Sequence, residues 1–400
     1  MVTNRLLTYE QLRETLKPLS KPCVFLHVEA FEANIHSIKA MAGDKNIRVA
    51  SKSIRSVPLL KKIIDASEQF QGVMCFTAEE ALYLYEQGFD DLLVAYPSWD
   101  EIALRKISKL VKEGALITVM VDDPKHIHFL EAIAEVENGS FLVAIDIDLS
   151  SKLPGLHFGV YRSPLRLVDD VLNLVKIIQR SVNIKLDGIM GYEAQIAGVV
   201  DSAPQGRMKN KVVQFLKRYS LKEIKKKRSS VMKALKLEGV SLRFVNGGGT
   251  GSLLDTHYDP TLTEVTAGSG FYNSHLFDKY VHFELQPAMF FVTEITRMPE
   301  RYMFTCAGGG YVASGSAGID KLPEIYLPEG ASLTKNEAVG EVQTPVYYEG
   351  PLVLDFGDPI IFRHSKAGEL CERFHFIHLL KKNKIKTKVP TYRGEGKCFI

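Results

Sequence analysis

The sequence predicts an α/β protein: a TIM (β/α)8 barrel followed by a C-terminal all-β domain. Two observations indicate this. Short apolar runs alternate with helical patterns up to about residue 275, and beyond it come short strands and glycine turns without a long helical pattern. Parallel strands that are buried on both faces read as continuous apolar runs. We expect residues 1–28 to pack with the β domain, residues 29–275 to form the barrel, and residues 276–400 to form the β domain.

Eight apolar runs are the predicted barrel strands. They are residues 47–51, 72–76, 91–96, 116–121, 141–147, 186–192, 242–248 and 263–268. Eight strand–helix units favour a barrel. A doubly wound open sheet is the alternative, because a sequence defines the number of strands only to within about one or two. An earlier run, CVFLHV at 23–28, belongs either to the second domain or to the bottom of the barrel.

Composition excludes several classes of protein. The 400 residues are 46% hydrophobic and 24% charged, which is ordinary for a globular protein, and the net charge of +3 is too small to argue for nucleic acid. The five cysteines have irregular spacing without a CxxC pair, so we expect a reducing compartment. The N-terminus does not resemble a signal peptide, and no apolar run approaches the ~20 residues of a membrane span. We therefore expect a cytoplasmic protein.

A lysine follows the first barrel strand in IRVASKSIRS (47–56). Ile47, Val49 and Ala50 read as a buried strand, and Lys52 comes directly after them. The carboxyl ends of barrel strands carry the catalytic residues of this fold, so Lys52 is a candidate for chemistry. The alternative is a side chain that simply extends into water at the end of a strand.

Two glycine-rich loops follow the last two predicted strands. NGGGTGS (246–252) and AGSGFY (267–272) offer backbone N–H groups and hydroxyls that suit an anion. The loops after strands seven and eight form the usual phosphate site of this fold, although plain glycine turns are the alternative. Because strand eight lies beside strand one in a closed barrel, Lys52 then faces the same mouth. A lysine beside a bound phosphate suits a Schiff base with pyridoxal phosphate, or it serves only as a charge partner for the phosphate.

The pattern resembles the alanine-racemase-type (fold type III) pyridoxal-phosphate enzymes, and within them it is most similar to the D-threonine aldolase and D-serine dehydratase branch. The resemblance extends from PCVFLHVEAFEANI to GDPIIFRHSKAGELC. It is carried by Lys52 after a strand, by GGGTGS, by EVTAGSGFY (264–272) and by GDPIIFRH. It implies a homodimer in which the β domain of one subunit completes the active site of the other.

The resemblance also assigns roles to residues. Lys52 would form the Schiff base, Arg162 would reach the ring oxygen of the cofactor, Tyr192 would approach the ring, and Tyr272 would cover it. The phosphate would be bound by Gly248, Gly249, Thr250, Gly268 and Ser269. From the residues alone, Arg162 could instead cap a helix or neutralise the nearby aspartates, and Tyr192 could be a core residue.

One stretch departs from the family pattern. Metal-dependent members of this branch carry a His-x-Cys or His-x-Asp pair late in the β domain, where this chain has RHSKAG. His364 is present, but Lys366 occupies the place of the second ligand, and a protonated lysine has no lone pair for a metal. We therefore predict no metal ligands and a metal-independent enzyme in which Lys366 replaces the cation. The alternative is a zinc ion bound by His364 and Cys371 through a rearranged loop.

The expected function is that of a pyridoxal-phosphate lyase that acts on a D-β-hydroxy amino acid by aldol cleavage or dehydration. His364 and Lys366 are the candidates for the polar group near the substrate hydroxyl. A racemase is the alternative in chemistry. A non-catalytic pyridoxal-phosphate carrier would not need the β domain, and a sugar-phosphate enzyme that uses Lys52 directly would be colourless.

Two further segments stay open. The basic run at 222–236 has helical spacing with Ile224, Val231, Met232 and Leu235 as its apolar stripe, which favours a solvated helix face over a basic docking patch. The C-terminal stretch TYRGEGKCF (391–399) is either a loose tail or a loop that contributes to the site.

Overall fold

The structure is a computed structural model that describes residues 8–153, 155–200 and 206–400. The helices are α1 (Tyr9–Leu16), α2 (Val28–Met41), α3 (Val57–Ile64), α4 (Ala78–Glu86), α5 (Glu101–Lys112), α6 (Pro124–Glu137), α7 (Val168–Arg180), α8 (Ala194–Ala197), α9 (Arg207–Leu237) and α10 (Leu253–Thr256). The strands are β1 (Cys23–His27), β2 (Asn46–Ala50), β3 (Phe70–Cys75), β4 (Leu92–Val94), β5 (Ile117–Val121), β6 (Phe141–Asp146), β7 (Ser151–Leu153), β8 (Leu156–Phe158), β9 (Ile184–Gly191), β10 (Phe244–Gly247), β11 (Glu264–Ala267), β12 (Met289–Glu300), β13 (Met303–Ala307), β14 (Glu324–Leu327), β15 (Ser332–Leu333), β16 (Gln343–Tyr347), β17 (Pro359–Arg363), β18 (Phe376–Lys381) and β19 (Lys384–Pro390).

The predicted barrel is confirmed. The strands β2, β3, β4, β5, β6, β9, β10 and β11 form a closed barrel in that order, and they coincide with the eight predicted runs. Closure comes from parallel pairing of the last strand with the first, with Val265 opposite Ile47 and Ala267 opposite Val49. This pairing excludes the doubly wound open sheet, which would leave both strands at edges.

The predicted C-terminal β region is also confirmed, as a nine-stranded sheet. Strand β1 lies within it, antiparallel to β12 and parallel to β18, so the early run CVFLHV is part of this sheet rather than of the barrel. Helix α1 packs on the same region, where Arg13 contacts Asp358 at 2.7 Å. Residues 1–7 of the predicted N-terminal segment lie outside the described residues.

Side chains along each barrel strand alternate between the interior of the barrel and the surrounding helices. In β2, Ile47 and Val49 are fully buried, while Ala50 lines the pocket at the mouth of the barrel. Successive side chains of a strand point to opposite faces, so Arg48 shares the inner face with Ala50. Above Arg48 the interior is filled by an apolar cluster that consists of Leu93, Met120, Ala144, Met190 and Phe244, with Met74 packed against it.

A buried ion pair joins the two strands that close the barrel. The Arg48 guanidinium binds both carboxylate oxygens of Glu264, at 2.6 and 2.9 Å, and its side chain is fully buried. It also reaches Asp91 at 3.0 Å, which Arg243 contacts at 2.7 Å. Two parallel N–H···O bonds fix both the charge and the orientation of the pair. The seam between β2 and β11 therefore has a register that is fixed by side chains as well as by backbone hydrogen bonds.

The long helix α9 differs from the sequence prediction at one residue. Its apolar stripe is buried as expected at Ile224, Val231 and Leu235, but Arg228 in the same stripe is also buried, at 1% exposure. Residue 228 lies one turn from both 224 and 231, so it faces the barrel with them. The prediction of a solvated basic face was wrong at this residue.

None of the helices in the described part of the chain is long and apolar enough to cross a membrane.

We expect Arg48→Met to lower the free energy of unfolding by about 3–5 kcal/mol, because removing one partner of a buried pair leaves a buried carboxylate uncompensated. Denaturant unfolding followed by circular dichroism measures the change. Arg105→Met is the matched control, because Arg105 pairs with Glu101 and Glu137 at the surface, where its side chain is 38% exposed. The control should change the stability far less. Equal losses in the two variants would contradict a special role for the seam.

Candidate active site

A pocket of about 670 Å³ opens at the carboxyl ends of the barrel strands. Its floor includes Ala50, Met74 and Met190 from the barrel interior, and Asn246 and Thr266 bring polar groups to it. Of the residues that the sequence singled out, the pocket brings together Lys52, Arg162, Tyr192, Gly248, Gly249, Thr250, Gly268 and Ser269. A lysine, an arginine and two glycine loops thus face one volume, which suits an anionic ligand.

Lys52 projects into this pocket from a single 3-10 turn, Ser51–Ser53, which follows β2. Its Nζ donates a hydrogen bond of 2.9 Å to the Tyr96 hydroxyl. Burial acts to raise the pKa of Tyr96, but the neighbouring Lys52 and Arg162 charges outweigh it, and the pKa lies below its ordinary value. Sequence reasoning missed Tyr96, although its place at the end of the fourth predicted strand, DLLVAY, was a usable signal.

The two glycine loops approach each other and the Lys52 turn so closely that side chains would not fit. A Cβ at Gly268 would lie 2.8 Å from Ser53 Oγ, and one at Gly270 would lie 2.4 Å from Thr250 Cγ2. Gly248 has φ +78°, a left-handed conformation that favours glycine. The Thr250 hydroxyl accepts from the N–H groups of Gly268 and Gly270, at 3.3 Å each, and so ties the two loops together. The resulting cradle of bare backbone fits a phosphate group.

A buried charge cluster holds the first glycine loop from behind. Arg228 of α9 binds Glu193 at 2.7 Å and Asp259 at 2.6 Å, and the second Glu193 oxygen accepts from the Gly248 N–H at 2.5 Å. Burial acts to lower the pKa of Arg228, but the two carboxylates outweigh it and raise the pKa, so the guanidinium stays charged. Arg228 therefore links the long helix to the loop that would hold the phosphate. The sequence analysis did not identify Arg228, because it lies within a run of basic residues.

Arg162 lies between two aromatic rings of the pocket. Its guanidinium carbon is 5.1 Å from the centre of the Tyr192 ring and 5.7 Å from that of Tyr96, within cation–π range. Nearby, burial raises the pKa of Asp146 to about 7, with the Arg162 charge acting in the opposite direction. Arg162 is thus held in place by the two rings, with its charge available to the pocket.

Tyr272 lies outside the lining of this pocket. Its side chain is fully buried, and its hydroxyl donates to the Ile54 carbonyl at 2.9 Å. It supports the backbone just beyond the Lys52 turn rather than facing a bound ligand.

His364 and Lys366 line a second cavity, of about 330 Å³, in the β region. The His364 Nδ1 contacts the Met289 carbonyl at 3.2 Å, and its Nε2 is buried without a partner among the described residues. Burial lowers the pKa of His364 to about 3, so the imidazole is neutral, and a donating Nδ1–H leaves a lone pair on Nε2. Lys366 donates to Ser314 at 3.0 Å and lies 3.6 Å from a Glu369 oxygen.

The side chains around His364 do not fit a divalent cation as they are arranged. Lys366 is engaged with Ser314 and Glu369, and the buried Cys371 thiol donates to the Ile54 carbonyl at 3.5 Å. Burial raises the pKa of Cys371 to about 12, which opposes the thiolate that a metal needs. The described ranges contain no group of three or more His, Cys, Asp and Glu side chains that could hold a metal ion.

We expect Arg228→Met to weaken binding of pyridoxal phosphate, the cofactor that the resemblance implies, by about 10- to 100-fold. Glu193 and Asp259 would lose their counter-charge, and a hydrogen bond to a charged group contributes about 1.5–3 kcal/mol. Titration of the apoprotein by absorbance measures the affinity. Lys226→Met, an exposed lysine on the same helix, is the control and should bind as the wild type does. Matching affinities for both variants would show that the cluster does not support the loop.

Comparison with known proteins agrees with this architecture. Residues 26–275 match the family model described as alanine racemase, N-terminal domain. A 3-hydroxy-D-aspartate aldolase from Paracoccus denitrificans (strain Pd 1222) is 26% identical over 253 residues, which are 63% of this chain and 60% of that protein. The match therefore spans less than two thirds of the relative's length.

Solved structures share the fold over nearly the whole chain. D-threonine aldolase from Filomicrobium marinum has a TM-score of 0.79 at 17% identity, covering 95% of this chain and 96% of that one. D-threo-3-hydroxyaspartate dehydratase from Delftia sp. HT23 has a TM-score of 0.76 at 17% identity, covering 94% and 98%. At these identities the likeness shows the fold alone. Since the family model matches more than half of the sequence, this protein belongs to the alanine racemase N-terminal domain family, which confirms the resemblance drawn from its sequence.

Proposed function

We propose that this protein is a pyridoxal-phosphate-dependent lyase that acts on a D-β-hydroxy amino acid by aldol cleavage or dehydration. The observation that carries the proposal is the single pocket shared by Lys52 and the two glycine loops. The names of its relatives support the substrate class, since they are an aldolase and a dehydratase of 3-hydroxyaspartate and an aldolase of D-threonine.

We assign these residues to the phosphate, the aldehyde, the ring oxygen and the ring face of the cofactor. The glycine loops would bind the phosphate, Lys52 would hold the aldehyde carbon covalently, and Arg162 would meet the ring oxygen while Tyr192 packs on the ring. When bound, pyridoxal phosphate supplies an electron sink for the negative charge that develops at the substrate Cα.

Proton transfer falls to the Lys52–Tyr96 pair and to a group near the substrate hydroxyl. In dehydration, Lys52 Nζ takes the proton from Cα and the β-hydroxyl leaves. In aldol cleavage, a base takes the hydroxyl proton and the Cα–Cβ bond breaks. Tyr96 keeps Nζ in place through the hydrogen bond that its hydroxyl oxygen accepts from the lysine. A racemase would need a second acid/base on the opposite face of the ring.

His364 and Lys366 remain the proposed polar groups for the hydroxyl, but within one chain they line a separate cavity. Such a role would be met in a homodimer in which the β region of one subunit reaches the pocket of the other. The Lys366 side chain is 40% exposed, so it is accessible to such a partner site. We propose this shared arrangement on the strength of the family resemblance.

We expect borohydride reduction of the purified holoprotein, followed by peptide mapping, to place the reduced cofactor adduct on Lys52. The holoprotein should be yellow, and Lys52→Ala should carry no adduct. Lys366→Ala is the matched lysine control and should retain it. An adduct on another lysine, or none with cofactor present, would refute the proposed role of Lys52.

The products formed from D-threonine and from D-3-hydroxyaspartate then identify the reaction. Aldol cleavage releases glycine and an aldehyde, dehydration releases ammonia and a 2-oxo acid, and racemisation at Cα yields only the Cα epimer. A coloured protein that forms none of these would point to the non-catalytic carrier.

Removal of metal ions tests whether the activity is independent of a metal. We expect activity to persist after extended dialysis against a chelator, with metal content measured before and after. Lys366→Ala should lower the rate by about 10²–10⁴-fold, the contribution of a well-placed general acid, while it still binds the cofactor. Activity that falls with the metal and returns with zinc or manganese would contradict the replacement of a cation by Lys366.

A further inference from the structure

The C-terminal segment, residues 390–400, packs against the barrel directly behind the Lys52 turn. Tyr392 is 1% exposed and Phe399 is 7% exposed. Their rings lie 5.4 Å apart between centres, and Tyr392 meets the Tyr83 ring of α4 edge-on at 5.7 Å. The segment is therefore an ordered part of the barrel wall, and it does not line the pocket itself.

Tyr392 is linked to both ends of the turn that carries Lys52, directly at one end and through other residues at the other. Its backbone N–H donates to the Arg55 carbonyl at 2.9 Å, and its hydroxyl donates to Glu80 at 2.8 Å. Glu80 is fully buried, and its other oxygen accepts from the Phe76 N–H at 2.7 Å. Two residues before Phe76, the Met74 carbonyl accepts from the Ser51 hydroxyl at 2.9 Å. Tyr392 thus reaches the end of the turn directly, and its start through Glu80 and this short stretch of backbone.

The turn depends on such outside contacts because it has little structure of its own. It closes through two bonds to the Ser51 carbonyl, from Ile54 at 2.8 Å and from Arg55 at 2.9 Å. Arg55 has φ +48°, a left-handed conformation that costs free energy for a residue other than glycine. A short 3-10 turn with a strained neighbour holds a side chain in one position only if the surrounding structure fixes it.

We infer that Tyr392 is a positioning residue for Lys52, acting through Glu80 and Arg55. The inference rests on the proposed role of Lys52 as the amine that binds the cofactor. The hydroxyl of Tyr392 keeps Glu80 in place, and Glu80 fixes the backbone at Phe76. The Met74 carbonyl on the same stretch of backbone holds Ser51, which Lys52 follows in the chain. Its Nζ then stays beside Tyr96 and within reach of an aldehyde in the pocket.

The variant Tyr392→Phe tests this, because it keeps the ring and the backbone N–H and removes only the hydroxyl. We expect the dissociation constant for pyridoxal phosphate, which bonds to Lys52, to rise about tenfold, or about 1.4 kcal/mol. Binding of pyridoxine 5′-phosphate, which has an alcohol in place of the aldehyde, should be unchanged because it forms no covalent bond to Lys52. Glu80→Gln keeps the shape of the side chain and should retain more affinity for pyridoxal phosphate than Glu80→Ala does.

Tyr347→Phe is the matched control, since Tyr347 also donates its hydroxyl to a glutamate, Glu349, at an exposed site. It should bind both compounds as the wild type does. Equal weakening of both compounds by Tyr392→Phe would show a general structural role and overturn the inference, as would no change in either. If Tyr392→Phe does not fold, the two Glu80 variants carry the comparison.

The same experiment separates this inference from the proposed function. A wild-type adduct on Lys52 together with unaltered binding by Tyr392→Phe would refute the positioning role alone. If the wild type carries no adduct on Lys52, the proposed function fails and the inference fails with it.

Discussion

The ion pair between Arg48 and Glu264 links the two strands whose pairing closes the barrel, and the active site depends on that closure. It joins the first barrel strand to the last through two hydrogen bonds in the buried interior. Only in a closed barrel do Lys52, after β2, and the glycine loop after β11 become neighbours, although more than two hundred residues separate them in the chain. A buried pair is costly to desolvate and often adds no net stability over an apolar pair. Its value at this place is that two parallel bonds fix the register of the strands that bring lysine and phosphate cradle together.

Much of the barrel was readable from the sequence because its strands are buried on both faces and so appear as continuous apolar runs. Lys52 and the glycine loops were readable for a related reason, since the fold places functional groups at the ends of those runs. Arg228 was not readable, because a single buried arginine in a lysine-rich helix has the same local pattern as a solvated one. Its burial follows from Glu193 and Asp259, which are distant in sequence and offer two carboxylates inside the barrel wall.

The position of the C-terminal residues also depends on long-range contacts that a local sequence pattern does not show. Nothing local in TYRGEGKCF distinguishes a free tail from a packed one, because glycines and charged residues suit both. The buried place of Tyr392 is set by Glu80 on α4 and by the Arg55 carbonyl, which are long-range contacts. His364 and Lys366 show the opposite case. The motif drew attention to both residues, but their distance from the Lys52 pocket depends on how the β region folds over the barrel, which a motif does not encode.

The first glycine loop and the Lys52 turn each have a buried carboxylate behind them that accepts a backbone N–H, but the other partners of the two carboxylates differ. Behind the glycine loop, the Glu193 carboxylate accepts the Gly248 N–H, and Arg228 compensates its charge. An uncompensated carboxylate there would repel a phosphate at close range. Behind the Lys52 turn, Glu80 accepts the Phe76 N–H and the Tyr392 hydroxyl rather than a guanidinium. Burial raises the pKa of Glu80 to about 7, so near neutral pH it is partly protonated. The nearby Arg55 charge acts in the opposite direction and favours the ionised form. The two buried carboxylates therefore differ in how their charge is compensated: Glu193 binds a guanidinium directly, whereas Glu80 accepts from a tyrosine hydroxyl and lies near the charge of Arg55.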